Sequence, residues 1–144
     1  MQLDPLRSPP LLPPGIACYT ARLIGGDHRL HFAAGRACAA RAMAQLGVPA
    51  APIDRGPGGE PVWPEGLTGS ITHKGEYVSA AVARTTDVLS LGIDAEEIID
   101  AGRAARIAPR VVLPRETAVG GGSLDAAVRV VLLFSIKESV FKCL

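Results

Sequence analysis

The chain predicts a mixed α+β fold, and three observations carry that expectation. An alanine-rich block from about His31 to Leu46 is followed by Gly47 and Pro49, which are helix-stop signals. Short apolar runs at Gly69 to Thr72, Tyr77 to Ala83 and Val88 to Ile93 are set off by turn residues and read as strands. A glycine run, Gly120-Gly121-Gly122, precedes a long apolar stretch that reads as a further helix. The order of elements is therefore helix, strands, helix, helix.

Element by element, residues 1–15 hold five prolines and read as an extended or poorly ordered lead-in to a domain spanning 16–144. Residues 47–61 are turn-rich and form a loop, after which Val62-Trp63-Pro64 makes a short edge piece. Gly69 to Thr72 is a short strand. Tyr77 to Ala83 and Val88 to Ile93 pair as a hairpin through Arg84-Thr85-Thr86-Asp87. Residues 98–108 form a helix, and Ser123 caps a long helix from Leu124 to Leu144. No internal repeat is visible.

At 144 residues, 48% hydrophobic and 20% charged, the chain is of the size and composition of one domain with a buried core. Fifteen basic residues against fourteen acidic ones leave a net charge of +1, which excludes a simple electrostatic nucleic-acid binder. A small anionic ligand needs only a few well-placed cations. Cys18, Cys38 and Cys143 are odd in number, far apart and without paired histidines, so they read as reduced thiols and not as a disulfide frame or zinc site. The apolar run Val130 to Phe134 is too short to span a bilayer, and prolines spoil the uncharged stretch Ser8 to Ala21 as a secretory segment. A soluble cytoplasmic protein is expected.

Four spots could carry chemistry. In Leu91-Gly92-Ile93-Asp94-Ala95-Glu96 an apolar strand ends in two carboxylates at i and i+2, which would share a face. Such a pair is costly unless a cation relieves it, and oxygen-only ligands favour magnesium; a solvated acidic strand end is the plainer alternative. Glu138 and Lys142 lie at i and i+4 on the last helix, as a surface ion pair or as a metal ligand and an acid. Gly69-Ser70-Ile71-Thr72-His73-Lys74-Gly75 sets hydroxyls, an imidazole and an ammonium between glycines, which suits phosphate or an ordinary strand and turn, and lacks the order of a P-loop. Arg29 and Arg36, seven apart, would share a face near the first helix, either to clamp a phosphate or to be solvated. His28 and His31 read as plain surface residues.

The order of these blocks is more specific than any one of them. Phe32-Ala33-Ala34-Gly35-Arg36-Ala37-Cys38-Ala39, Pro61-Val62-Trp63-Pro64-Glu65-Gly66, Gly69-Ser70-Ile71-Thr72-His73, Gly92-Ile93-Asp94-Ala95-Glu96 and Phe134-Ser135-Ile136-Lys137-Glu138-Ser139-Val140-Phe141-Lys142 closely resemble the 4′-phosphopantetheinyl transferases of the Sfp and enterobactin-synthetase-component-D type. The likeness covers most of residues 10–144. It implies a magnesium-dependent transferase that moves the phosphopantetheine arm of coenzyme A onto a serine of an acyl or peptidyl carrier protein and releases 3′,5′-ADP. The resemblance leaves siderophore, polyketide and lipid synthesis all open as the pathway served.

The same resemblance implies that Asp94, Glu96 and Glu138 hold magnesium and that Glu138 helps deprotonate the carrier serine. Lys142 would balance or protonate the leaving phosphate, while Lys137, His73, Thr72 and Arg36 hold coenzyme A phosphates. Arg29 is what survives of a basic run that relatives carry before the Phe32 block, and Glu60 stands where some have a lysine. Relatives continue past the last helix with strands that complete a pseudo-twofold fold, so the expected fold is this one with its second half incomplete. Part of the apolar face with Val131, Leu132 and Ile136 would then lack cover. A non-catalytic remnant that still binds coenzyme A or a carrier protein is the alternative.

Overall fold

The computed structural model describes residues 1–6, 12–25, 27–118 and 124–144. In chain order the elements are β1 (Gln2–Pro5), β2 (Ile16–Ile24), α1 (His31–Gln45), β3 (Asp54–Arg55) and β4 (Pro61–Val62). There follow β5 (Leu67–Lys74), β6 (Tyr77–Arg84), α2 (Ala101–Val111) and α3 (Ala126–Phe141), with 3-10 turns at His28–Leu30 and Pro114–Glu116. The mixed α+β class is as expected. Strands β1-β2-β6-β5, in that order, form one antiparallel sheet, and β3 and β4 form a small separate ribbon.

Alternation along the strands gives the sheet two different faces. One face is apolar: Ala21 and Leu23 of β2 and Val78, Ala80 and Val82 of β6 are fully buried with Ala34, Cys38, Ala39, Ala42 and Met43 of α1. Small side chains on both partners let the helix lie close to the sheet. Gly35 takes this furthest, because a methyl group there would come within 2.6 Å of Ile71 Cγ2 on β5. The first turn of α1 is thereby set beside the far end of that strand. The other face carries Cys18, Thr20, Ser70, Thr72 and Ser79, all buried, with Thr20 Oγ1 and Ser79 Oγ hydrogen-bonded at 2.8 Å.

Strand pairing departs from the expected hairpin. Tyr77–Arg84 pairs with Leu67–Lys74 through the two-residue turn Gly75-Glu76, where Gly75 has φ +56° as a glycine-first hairpin turn requires. The other edge of β6 is taken by β2, so no edge remains for Val88 to Ile93. That segment is not a strand, and Leu89 is 93% exposed. Within the lead-in, Gln2–Pro5 pairs along β2 with Pro5 at its end, a position an edge strand tolerates. The nine-residue β2 was not among the expected strands, and β3 with Pro61 of β4 forms within the expected loop, whereas Val62 of β4 belongs to the expected edge piece.

Two aspartates start the remaining helices. Asp100 accepts from the Arg103 amide at 2.9 Å, so α2 begins three residues later than expected and runs two residues beyond Pro109. Asp125 accepts from the Ala127 and Val128 amides at 2.8 and 3.4 Å and caps α3. The Gly120-Gly121-Gly122 loop and the Ser123 cap lie outside the described residues. Helix α3 closes at Phe141, leaving Lys142 as its cap, with its amide bonded to the Glu138 carbonyl. The two helices share a core of Ala104, Ala127 and Val130 with Ile107 and Val111 packed on it. Val131 is also buried, whereas Leu132 and Ile136 are exposed, as is Val140.

Candidate functional site

Residues 88–100 contain no regular element and cross from the sheet to the two-helix unit. Gly92 allows a close crossing of the end of α3: a methyl group there would collide with the Ser139 carbonyl and lie 2.8 Å from Cys143 Sγ. Nearby, Ser90 Oγ donates to the Cys143 carbonyl at 2.6 Å. These contacts bring Asp94 between β5 and Lys142.

The side chain of Asp94 is 7% exposed. Its Oδ1 accepts from Lys142 Nζ at 2.7 Å and from Thr72 Oγ1 at 3.5 Å, while Oδ2 is buried with no hydrogen-bond partner among the described residues. Thr72 Oγ1 also accepts from the Ala95 amide at 3.1 Å, and Lys142 Nζ donates to the Ile93 carbonyl at 3.1 Å. Sheet, crossing segment and last helix are thus joined at one carboxylate. Two residues on, Glu96 pairs with Lys74 Nζ at 2.6 Å. Because 88–93 is not a strand, Asp94 and Glu96 are not a pair on one strand face; each has its own lysine. Among the described residues no three carboxylate, imidazole or thiol groups converge at metal-binding distance, so Glu138 is not gathered with them into one shell.

Beside Glu96 opens a cleft of about 570 Å³ between α2 and α3. Its apolar wall includes Ile107, Val131 and Phe134, and Glu138, Lys74 and Lys137 line it as well. Lys137 is tied down: Nζ donates to the Val111 carbonyl at 2.6 Å and to Glu116 Oε2 at 2.7 Å. The lysine, together with the Leu113 amide on the same oxygen, holds the Glu116 carboxyl below its usual range. Lys137 therefore braces the end of α2 against α3 in this structure.

The remaining expected phosphate ligands lie around the other face of β5. His73 stacks on His31 with ring centroids 4.6 Å apart and planes at 29°. Burial, then the charges of His31 and Lys142, lower the His73 pKa. Arg36 lies over the Phe32 ring at 3.8 Å and bonds the Ile53 and Asp54 carbonyls at 3.4 and 3.3 Å; burial, then Arg55, lowers its pKa. Arg29 stands in the 3-10 turn, bidentate to Asp27. The two arginines are thus engaged separately and do not form a clamp.

Sequence reasoning missed three things here. Lys74 reads as an ammonium suited to phosphate, and its ion pair with Glu96 was not foreseen, although the hairpin turn directly after it signals the end of a strand. Arg103 and Arg110, seven apart on α2, both line the cleft. His31 is half-buried against His73 and not a plain surface residue.

The comparisons with known proteins agree with this arrangement of blocks. The 4′-phosphopantetheinyl transferase N-terminal domain model matches residues 27–83, and the 4′-phosphopantetheinyl transferase superfamily model matches residues 90–144. The first takes in α1 and the β5–β6 hairpin, the second the Asp94 segment and α3. The chain is 43% identical over 136 residues to 4′-phosphopantetheinyl transferase Svp of Streptomyces mobaraensis, covering 92% of this chain and 54% of that protein. It is 39% identical over 139 residues to 4′-phosphopantetheinyl transferase PptT of Mycobacterium tuberculosis, covering 90% and 59%. With enterobactin synthase component D of Salmonella typhi the identity is 34% over 122 residues, covering 84% and 50%. The chain spans about half the length of the curated relatives it matches. With both family models matched in order and the Thr72–Asp94–Lys142 junction tying their two regions together, the chain belongs to the 4′-phosphopantetheinyl transferase superfamily.

Proposed function

We propose that this chain transfers 4′-phosphopantetheine from coenzyme A to a serine hydroxyl of an acyl or peptidyl carrier protein, with magnesium, releasing 3′,5′-ADP. The observation that carries the reading is Asp94, a buried carboxylate with one oxygen on Lys142 and the other without a partner among the described residues. A bare buried oxygen is costly, and the carboxylate oxygens of Asp94, Glu96 and Glu138 are of the donor type a hard divalent cation takes; in this structure Asp94 and Glu96 are turned to Lys142 and Lys74, so the three would converge only around a bound ion. When bound, magnesium would spread the charge that develops on the diphosphate.

The chain's own residues divide the remaining work. Thr72 orients Asp94 and the Ala95 amide together. Glu138, in the wall of the cleft, takes the proton of the carrier serine. The serine oxygen then bonds to the pantetheine-side phosphorus as the P–O bond towards the adenylate half breaks. Lys142 supplies positive charge to the leaving phosphate, while His73, Arg36 and Lys137 hold the phosphates and Arg29 stands at the nucleotide end. Among the described residues no helix is long and apolar enough to cross a membrane, and three unpaired thiols suit a reducing compartment. We place the protein in the cytoplasm, serving siderophore or related secondary-metabolite assembly.

The test is chromatography of coenzyme A incubated with the chain, magnesium and an apo carrier protein. Release of 3′,5′-ADP that requires the carrier is expected. Coenzyme A left intact under conditions where a full-length relative consumes it contradicts the reading.

A further inference from the structure

We propose that His31 is a positioning residue for His73, holding its imidazole by ring stacking so that it faces an anionic oxygen of the substrate in one orientation. The proposal rests on the reading of His73 as a coenzyme A phosphate ligand. His73 lies near the end of β5, two residues before the turn residue Gly75, and is only partly covered. An exposed imidazole on a strand end has free rotation about its side-chain bonds, and ordering it on ligand binding costs conformational entropy. Stacking at 4.6 Å and 29° on a half-buried ring removes that freedom in advance.

The placement of His31 is fixed by packing and not by chance surface contact. It is the first residue of α1, whose register on the sheet is set by Gly35 against Ile71, two residues before His73 on the same strand face. The groups that face His73 are His31 from α1 and Lys142 from beyond α3, both adding positive charge when protonated.

The test compares His31→Ala, His31→Phe and His73→Ala with the parent chain, each checked for helix content by circular dichroism. Two readouts are used: KM and kcat for coenzyme A, and the NMR titration of the His73 ring in the ligand-free protein. His31→Ala is expected to raise KM by about three- to tenfold with kcat little changed, and His31→Phe to restore it, since a phenyl ring stacks as well. In the ligand-free protein the His73 midpoint should rise in His31→Ala. An unchanged His73 midpoint and ring shift in His31→Ala overturns the proposal, as does a KM in His31→Phe as poor as in His31→Ala. A His73→Ala chain with unaltered KM would instead sink the phosphate-ligand reading, and the NMR arm would still decide whether the stack orders the ring.

Discussion

Lys142 Nζ lies 2.7 Å from Asp94 Oδ1, and the other oxygen of the same carboxylate is buried without a partner among the described residues. The two residues are 48 positions apart in sequence and belong to different parts of the fold, so their contact is a product of tertiary packing. It predicts a separation of stability from activity. Asp94→Asn keeps the shape and the Thr72 contact but loses the charge that holds Lys142. Lys142 is 30% exposed and can turn to solvent, so the cost to stability is about 1–3 kcal/mol. Magnesium-dependent transfer should nevertheless be lost, and denaturant melts beside turnover measurements check both halves.

Gly92 predicts a packing effect without chemistry. A methyl group there meets the Ser139 carbonyl backbone, which cannot swing aside as a side chain would. Gly92→Ala should destabilise the chain by about 1–3 kcal/mol through displacement of α3 from the Asp94 segment. A lower urea midpoint with an unchanged slope is the expected result.

His73 predicts how stability responds to acid. Its folded pKa lies below the ordinary 6.5, mainly through burial, so the unfolded chain binds the proton more readily. The contribution is fully present above pH 6.5 and is lost as the pH falls below it. Stability should therefore drop on going from pH 7 to pH 5, and the drop should be smaller in His73→Gln, as thermal melts across that range would record.

Cys38 predicts thiol reactivity. Burial against the sheet pushes its pKa up to about 11, outweighing the opposing charge of Arg41, and a protonated thiol is a poor nucleophile. Cys18 is buried too, whereas Cys143 is partly exposed at the end of α3. Iodoacetamide at neutral pH should modify Cys143 first, with Cys38 reacting only in denaturant; peptide mass mapping distinguishes the three.

What the sequence made legible was what local chemistry dictates. The alanine block and Gly47 marked α1 to within a residue, and the blocks around Thr72, Asp94 and Glu138 named the residues that the superfamily models also cover. Strand pairing was not legible, because Tyr77 to Ala83 is apolar apart from Ser79 and gives no hint of which neighbours take its two edges. Once β2 and β5 occupy both, Val88 to Ile93 has to leave the sheet. The ion pairs Lys74–Glu96 and Lys137–Glu116 were equally hidden, since each joins residues about twenty apart through packing of elements and not through spacing. The stack of His31 on His73 depends on the seating of α1, which the Gly35–Ile71 approach and the buried Ala34, Cys38, Ala39, Ala42 and Met43 define through tertiary packing.

The central claim is that the Asp94 junction performs phosphopantetheine transfer, and intact-mass spectrometry of an apo carrier protein tests it most directly. With the parent chain, coenzyme A and magnesium, the carrier should gain one phosphopantetheine group, and neither chelator nor Asp94→Asn should allow that gain. An equal mass gain with Asp94→Asn, or none with the parent chain while a full-length relative modifies the same carrier, would contradict it.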